Sequence, residues 1–269
     1  MHQPALTRYP DRHWRNLAIE ETLRAALGQD RFLFAFQPVV CATSGQTEYF
    51  ECLLRMRDDE GGLVPCGDFI AAAEETGLIG LIDRYVLNRV FGELATDSAV
   101  KLGFNVSGRT ACDRPWLRSL TALLRQRSGY AARLVVEITE TAALEDIGEL
   151  AHFVDALRCA GCRVALDDFG AGHTSLRHLQ TLDVDIIKID GSFVRTLPTR
   201  RENRIILRHL LDLTRGFGFG TVAECVETAE EAALLREAGV GYLQGHHFGY
   251  PTIERPWLRA PDVGRAACR

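Results

Sequence analysis

FLFAFQPVVCATSGQTEYFECLLRM, residues 32–56, contains two strand-like apolar runs, FLFAFQP (32–38) and YFECLLRM (49–56), separated only by VVCATSGQTE (39–48). TSGQ within that connection is turn chemistry, rich in residues that bend the chain. A parallel crossover needs about a dozen residues or more and usually carries a helix. The two runs are therefore expected to pair antiparallel, as a hairpin.

Six further strand-like runs follow: KLGFNVS (101–107), RLVVEIT (133–139), CRVALDD (162–168), VDIIKID (184–190), GTVAECV (220–226) and VGYLQG (240–245). Most are separated by helical patterns. Ile147, Leu150, Ala151, Val154 and Leu157 recur at helical spacing before the fifth run, and Ile206, Leu210 and Leu213 before the seventh. Gly161 and Gly239 stand where helices should stop and strands begin. Strands alternating with helices indicate βαβ units and a mainly parallel sheet. Eight such units favour closure, so the fold class is α/β: a barrel with one reversed strand, or a parallel sheet that starts with a hairpin.

The chain has 269 residues, 46% hydrophobic and 25% charged, an ordinary globular composition that fits one barrel of about 250 residues. Residues 1–30 read as a helical lead-in that ends near Gly28, 31–260 as one barrel domain and 261–269 as a tail. A net charge of −5 argues against a duplex nucleic-acid binder, which shows a basic footprint. MHQPALTRYPDRHWRN has no apolar signal core, and no apolar stretch approaches the roughly 20 residues of a membrane helix. A cytoplasmic location is the expectation, with the eight cysteines as reduced thiols. Cys159 and Cys162 form a CxxC, but no second pair completes a zinc site, so a helix end followed by a strand is the reading.

The polar residues within the strands carry the functional signal. On the second strand Tyr49, Glu51, Leu53 and Arg55 share one face, and the apolar Phe50, Cys52, Leu54 and Met56 share the other. The charged face is expected to line the barrel interior and mouth, and Cys52 to pack outward against helices. Asn105, Glu137, Asp167, Lys188, Glu224 and Gln244 each stand near the C-terminal end of their own run. In a barrel those ends converge on one mouth, where polar residues read as catalytic. Several carboxylates and a carboxamide make a self-repelling, all-oxygen cluster that suits hard divalent cations. The adjacent Asp167 and Asp168 can bridge two of them, an arrangement suited to in-line displacement at phosphorus. A lone strand-end acid is usually a cap or a solvated loop residue. Six strands carrying such residues in register are not explained that way.

Together FQPVV, ECLLR, FNVS, VEITET, DDFGAGHTSL, IKIDGSFV, AECVET and QGHHFGYP, from about Phe32 to Pro251, resemble the EAL domain, the bacterial cyclic di-GMP phosphodiesterase family. The resemblance implies a modified TIM-like barrel with an antiparallel first strand, in agreement with the hairpin. It implies that Glu51, Asn105, Glu137 and Asp167 hold one ion, and Asp167, Asp168 and Glu224 a second, the ions being Mg²⁺ or Mn²⁺. Lys188, with Glu51 and Glu224, would serve catalysis by acting on the attacking water. Gln37, Leu53, Arg55 and Gln244 would face the substrate, Arg55 at a phosphate and Gln37 near a guanine. Glu140 would brace the loop that begins at Asp167. The implied reaction is hydrolysis of cyclic di-GMP to linear 5′-pGpG by a homodimer, with larger, looser Ca²⁺ inhibiting.

Four departures from the family pattern stand out: Cys52 for an alanine, Ala171 and His173 in the loop, Cys225 for a glycine, and His246, His247 and Tyr250 in the closing motif. None removes a carboxylate or Lys188. Rim positions are expected for the three histidines rather than a zinc site. The rival readings are a non-catalytic EAL-like module that binds cyclic di-GMP or a protein, and a metal-dependent barrel enzyme acting on another metabolite.

Overall fold

The computed structural model describes residues 12–58, 60–127, 129–139, 146–170 and 176–258. Glu140, Ala171, His173 and the tail from residue 261 lie outside them. Among the described residues, the strands are β1 (Phe32–Cys41), β2 (Thr47–Arg57), β3 (Leu63–Pro65), β4 (Leu102–Val106), β5 (Leu134–Thr139), β6 (Arg163–Phe169), β7 (Ile186–Ile189), β8 (Gly220–Ala223) and β9 (Tyr242–Gln244). The helices that matter here are α1 (Arg12–Gly28), α2 (Ile70–Thr76), α3 (Ile79–Leu94), α4 (Gly108–Ala111), α5 (Arg114–Gln126), α6 (Ile147–Cys159), α7 (Leu176–Thr181), α8 (Gly191–Val194), α9 (Arg201–Phe217) and α10 (Ala229–Ala238).

β1 and β2 form the expected hairpin. Phe32 pairs with Met56, and Gln37 with Glu51. Cys41 N–H donates to Gln46 O at 2.8 Å and Gly45 N–H donates to Cys41 O at 2.9 Å, which closes the turn. From β2 the sheet runs through parallel neighbours β4, β5, β6, β7, β8 and β9. It then returns to β1, antiparallel to β9, with Val39 opposite Gln244. Of the two topologies open to the sequence, the structure takes the closed barrel of eight strands. β3, which sequence reading does not find, adds three residues to the free edge of β2 at its far end.

Two layers of core follow from strand alternation. Outward-facing side chains of the wall, Cys52, Phe104, Val136 and Leu166 among them, pack beneath the helices in the main cluster. Trp116 on α5 is buried against Phe153 on α6, with ring centroids 6.1 Å apart. Full burial of each such apolar side chain stabilises the fold by roughly 1.5–3 kcal/mol. Inside the barrel, Val39, Tyr49, Val135, Ala165, Ile186 and Val222 form a separate apolar floor. The polar strand-end residues stand one step above that floor.

Local signals set the helix limits. Thr228 and Glu231 make a capping box at the start of α10, and Gly239 ends it at φ +88°. Asp113 and Asp146 cap α5 and α6 through their carboxylates. One helical face differs from expectation. On α9 the buried stripe is Leu207, Leu211 and Thr214, while Ile206 is exposed and Leu210 and Leu213 are half-buried. The helix has apolar residues on adjacent positions, so spacing alone did not settle which of them face the barrel. No helix among the described residues is long and apolar enough to cross a membrane.

Candidate active site

Lys188 is the centre of the site. It is fully buried, and its Nζ lies 2.6 Å from Glu137 Oε2, 2.8 Å from Glu224 Oε1, 3.1 Å from Asp167 Oδ1 and 3.4 Å from Glu51 Oε2. Four strands deliver these carboxylates: Glu51 from β2, Glu137 from β5, Asp167 from β6, and Glu224 from the residue just past β8. A buried ammonium is costly unless it is paired. Here burial opposes the charge, but Asp167, Glu137, Glu224 and Glu51 together hold the Lys188 pKa well above its usual value.

One ammonium does not neutralise four acids. Burial works against the Glu51 carboxylate, yet the Lys188 charge and hydrogen bonds from Gln244 Nε2 (2.6 Å) and Asn105 Nδ2 (2.8 Å) outweigh it and keep its pKa low. Glu137 lacks such donors. Burial, then the neighbouring Glu51 charge, push it up to about 8. Burial likewise raises Glu224. Asp168 sits at the exposed rim with φ +57°, raised by burial of its carboxyl and by Asp167. Aspartate is among the few residues that visit this left-handed region with modest strain.

The donor set fits hard divalent cations. Glu51, Glu137 and Asp167 offer oxygens that lie within 4.8 Å of one another, and Asp167, Asp168 and Glu224 do the same, so Asp167 is common to both groups. Glu137 Oε1 and Gln244 Oε1 are buried without a hydrogen-bond partner in the protein. An orphaned buried acceptor calls for an unseen partner, and an oxygen-preferring cation is one that would satisfy it. Among the described residues the candidate metal groups contain carboxylates only. His246 and His247 are exposed and stack on Tyr250 and against Phe248 instead.

Most of the residues expected at the site are brought together. Gln244 Nε2 also donates to Gln37 Oε1 at 3.2 Å, and Gln37 Nε2 donates to Gly249 O at 3.2 Å, which ties the β1 and β9 sides of the mouth. Leu53 lines a cavity of about 220 Å³ together with Gln37, Glu51, Glu224 and Gln244. Arg55 stands apart from this network: its Nη1 donates to the Leu54 carbonyl at 2.8 Å. Cys52 faces outward into the helix-packed core, as expected from strand alternation, and burial raises its thiol pKa. Its neighbours there include Leu54, while Phe50 packs on Trp257 at 5.3 Å between ring centroids.

Three features were not anticipated. Gly103 on β4 is required by space: a Cβ there would meet Glu137 Oε1 at 2.5 Å and Tyr49 Cε2 at 2.7 Å. Arg195 and Glu227 line the mouth cavity, although neither stands in a strand. Cys225 adopts φ +55°, a region that costs a non-glycine residue about 1–2 kcal/mol.

The EAL domain profile matches residues 20–251. This chain belongs to the EAL domain family. It is 31% identical over 246 residues to the cyclic di-GMP phosphodiesterase PdeL of Escherichia coli, covering 90% of this chain and 68% of PdeL. It is 34% identical over 261 residues to an uncharacterized signaling protein of Caulobacter vibrioides, covering 95% of this chain but 32% of that protein. The EAL domain of FimX from Pseudomonas aeruginosa, solved with c-di-GMP bound, superposes with a TM-score of 0.82 at 31% identity, covering 89% of this chain and 97% of that one. The PaMucR phosphodiesterase in complex with c-di-GMP gives 0.79 at 29% identity, covering 87% and 97%. The chain spans about a third of the length of the first of its curated relatives, at 36%, 32% and 28%.

Proposed function

We propose that this EAL domain is a metal-dependent phosphodiesterase that hydrolyses cyclic di-GMP to linear 5′-pGpG. The observation that carries the reading is the complete cluster at the mouth: four carboxylates converge on one buried lysine, with Asn105 and Gln244 holding Glu51 ionised. Relatives named as cyclic di-GMP phosphodiesterases support the substrate.

Glu51, Asn105, Glu137 and Asp167 would hold one Mg²⁺ or Mn²⁺, and Asp167, Asp168 and Glu224 a second. Two such ions supply Lewis-acid polarisation of the phosphoryl oxygen and a water acidified towards neutral pH. The chain's own groups do the positioning. Lys188, kept protonated by its four acid partners, directs N–H donors at the centre of the cluster, where an attacking water would sit in line with the departing 3′ oxygen. Glu224, 2.8 Å from the ammonium, would help to fix its direction beside that water. Gln37, Leu53 and Gln244 shape the wall against which the dinucleotide would lie, and Arg55 would swing from the Leu54 carbonyl to a phosphate. The domain would act in the cytoplasm as a homodimer.

Incubating the purified chain with cyclic di-GMP and Mn²⁺, then resolving the products by chromatography, tests the reading. Linear dinucleotide should form and should cease with chelator. Retained binding without turnover would establish the rival, a sensor, in its place.

A further inference from the structure

The mouth cavity contains one group that the cluster does not use. Its lining includes three carboxylates, Glu51, Glu224 and Glu227, against a single permanent cation, Arg195. Lys188 cannot serve a ligand's outlying charge, because it is fully buried and surrounded by acids. Arg195 is differently placed. Its side chain is 56% exposed, and its Nε is 4.0 Å from Glu227 Oε1, beyond hydrogen-bond distance. Its other partner is the Cys225 thiol, a weak acceptor. A guanidinium has five N–H donors in a fixed fork, so most of this one's capacity is unspent.

Steric fit explains why the guanidinium stands at the mouth. A Cβ at Gly191 would lie 2.5 Å from Cys225 Cβ, 2.7 Å from Cys225 Sγ and 3.6 Å from Arg195 Nη2. The missing side chain at 191 thus makes the space that the Cys225 side chain and the arginine head share. Cys225, at φ +55°, turns its thiol into that space directly after Glu224. Arg195 follows α8 immediately and reaches back over Gly191. The three positions form one packing unit at the edge of the carboxylate cluster.

We propose that Arg195 binds the non-scissile phosphate of the cyclic dinucleotide. This rests on the hydrolase reading above and adds a second anchor to it. A cyclic dinucleotide carries two phosphodiesters, and the ions held by the cluster would neutralise only the one being cleaved. Arg55 does not line this cavity, so the other phosphate would meet a wall whose charged side chains apart from Arg195 are carboxylates, and a bidentate arginine is the group suited to offset it. Glu227 then has a role too, keeping the guanidinium over the cavity until the phosphate displaces it.

The test is a charge series at position 195: Arg195→Lys, Arg195→Gln and Arg195→Glu. KM for cyclic di-GMP should rise in that order, about tenfold for the glutamine variant, since a charged hydrogen bond at a half-exposed site is worth at least one such factor. Its kcat should stay within about twofold, because the scissile phosphate keeps its partners. Melting temperatures should not separate the four proteins. Equal KM values across the series, or a loss confined to kcat, overturns the assignment while leaving the hydrolase reading intact. If the wild type binds the dinucleotide without cleaving it, the hydrolase reading falls, and the same order in Kd upholds the role of Arg195. A wild type that neither binds nor cleaves overturns both.

Discussion

Replacing Lys188 by methionine leaves an unbranched side chain one atom shorter and removes the charge that four carboxylates share. Taking away one partner of a buried ion pair typically costs about 3–5 kcal/mol, because the remaining charge is left uncompensated. Here part of that loss is absorbed, since Glu137 and Glu224 already have raised pKa values and can take up protons instead. The lower end, about 3 kcal/mol, is the expectation for metal-free protein. In a chain of this size each kcal/mol moves the melting temperature by roughly 2–4 °C, so Lys188→Met should melt about 6–12 °C lower in chelator. Mn²⁺ at about a hundred times its Kd contributes roughly 2.7 kcal/mol, which would bring the variant's melting temperature close to that of the metal-free wild type while turnover stays abolished.

Acidity gives the same experiment a second axis. Glu137 has a folded pKa of about 8 against an ordinary 4.5, so folding takes up a proton between those values. Its contribution to stability is therefore fully present below the ordinary value and is lost as pH rises towards about 8. Without Lys188, which opposes that rise, the folded pKa climbs further. The deficit of Lys188→Met should be largest near pH 8 and shrink as acid is added. Thermal unfolding by circular dichroism at several pH values reads both effects. A variant that melts within about 2 °C of the wild type in chelator at pH 8 would show that the ammonium is not the compensating charge.

The remaining predictions concern neighbouring positions. Glu51→Ala should abolish Mn²⁺-dependent turnover, whereas Cys52→Ala, on the opposite face of β2, should keep it and lose only about 1 kcal/mol of stability; comparable rate losses in the two would refute the face assignment. Gly103→Ala places a methyl where Glu137 Oε1 and the Tyr49 ring already stand. It should weaken Mn²⁺ binding by isothermal titration at least tenfold, and unchanged affinity would show that the floor yields instead. Substituting Ca²⁺ for Mn²⁺ should preserve dinucleotide binding but suppress product, because the larger ion tolerates looser geometry; full activity with Ca²⁺ would count against the two-ion arrangement.

Much of this site is legible in the sequence because strand geometry converts spacing into direction. Alternation alone separates Glu51 from Cys52, and the ten-residue connection before them fixes the reversal of β1. Carboxylates in apolar runs are informative for the same reason, since burial makes each one expensive without a partner. The features absent from the sequence pattern depend on contacts that spacing does not encode. Gly103 reads as a weak strand residue, but its reason is the distance to Glu137 and Tyr49 across the barrel. Arg195 lies in a short helix-turn segment with no periodic pattern, and only folding brings it over the mouth. Cys225 reads as a simple departure from a glycine, whereas the structure links it to the glycine at 191. On α9 the competing apolar positions blurred the buried face by one residue.

The reversed first strand has a consequence for how the domain can be addressed. Because β1 runs against its neighbours, Phe32 lies opposite Met56, at the end of the wall where the parallel strands finish. The polypeptide leaving α1 thus enters the barrel on its working face, with Gln37 reached before the floor. In an all-parallel barrel the first strand would start at the opposite end. α1 buries Ile19, Leu23 and Ala26 in the main core, so the path along the chain from that helix to the Gln37–Glu51 pair is half of β1 and does not cross the barrel. The chain's entry into the barrel and the carboxylate cluster share one rim.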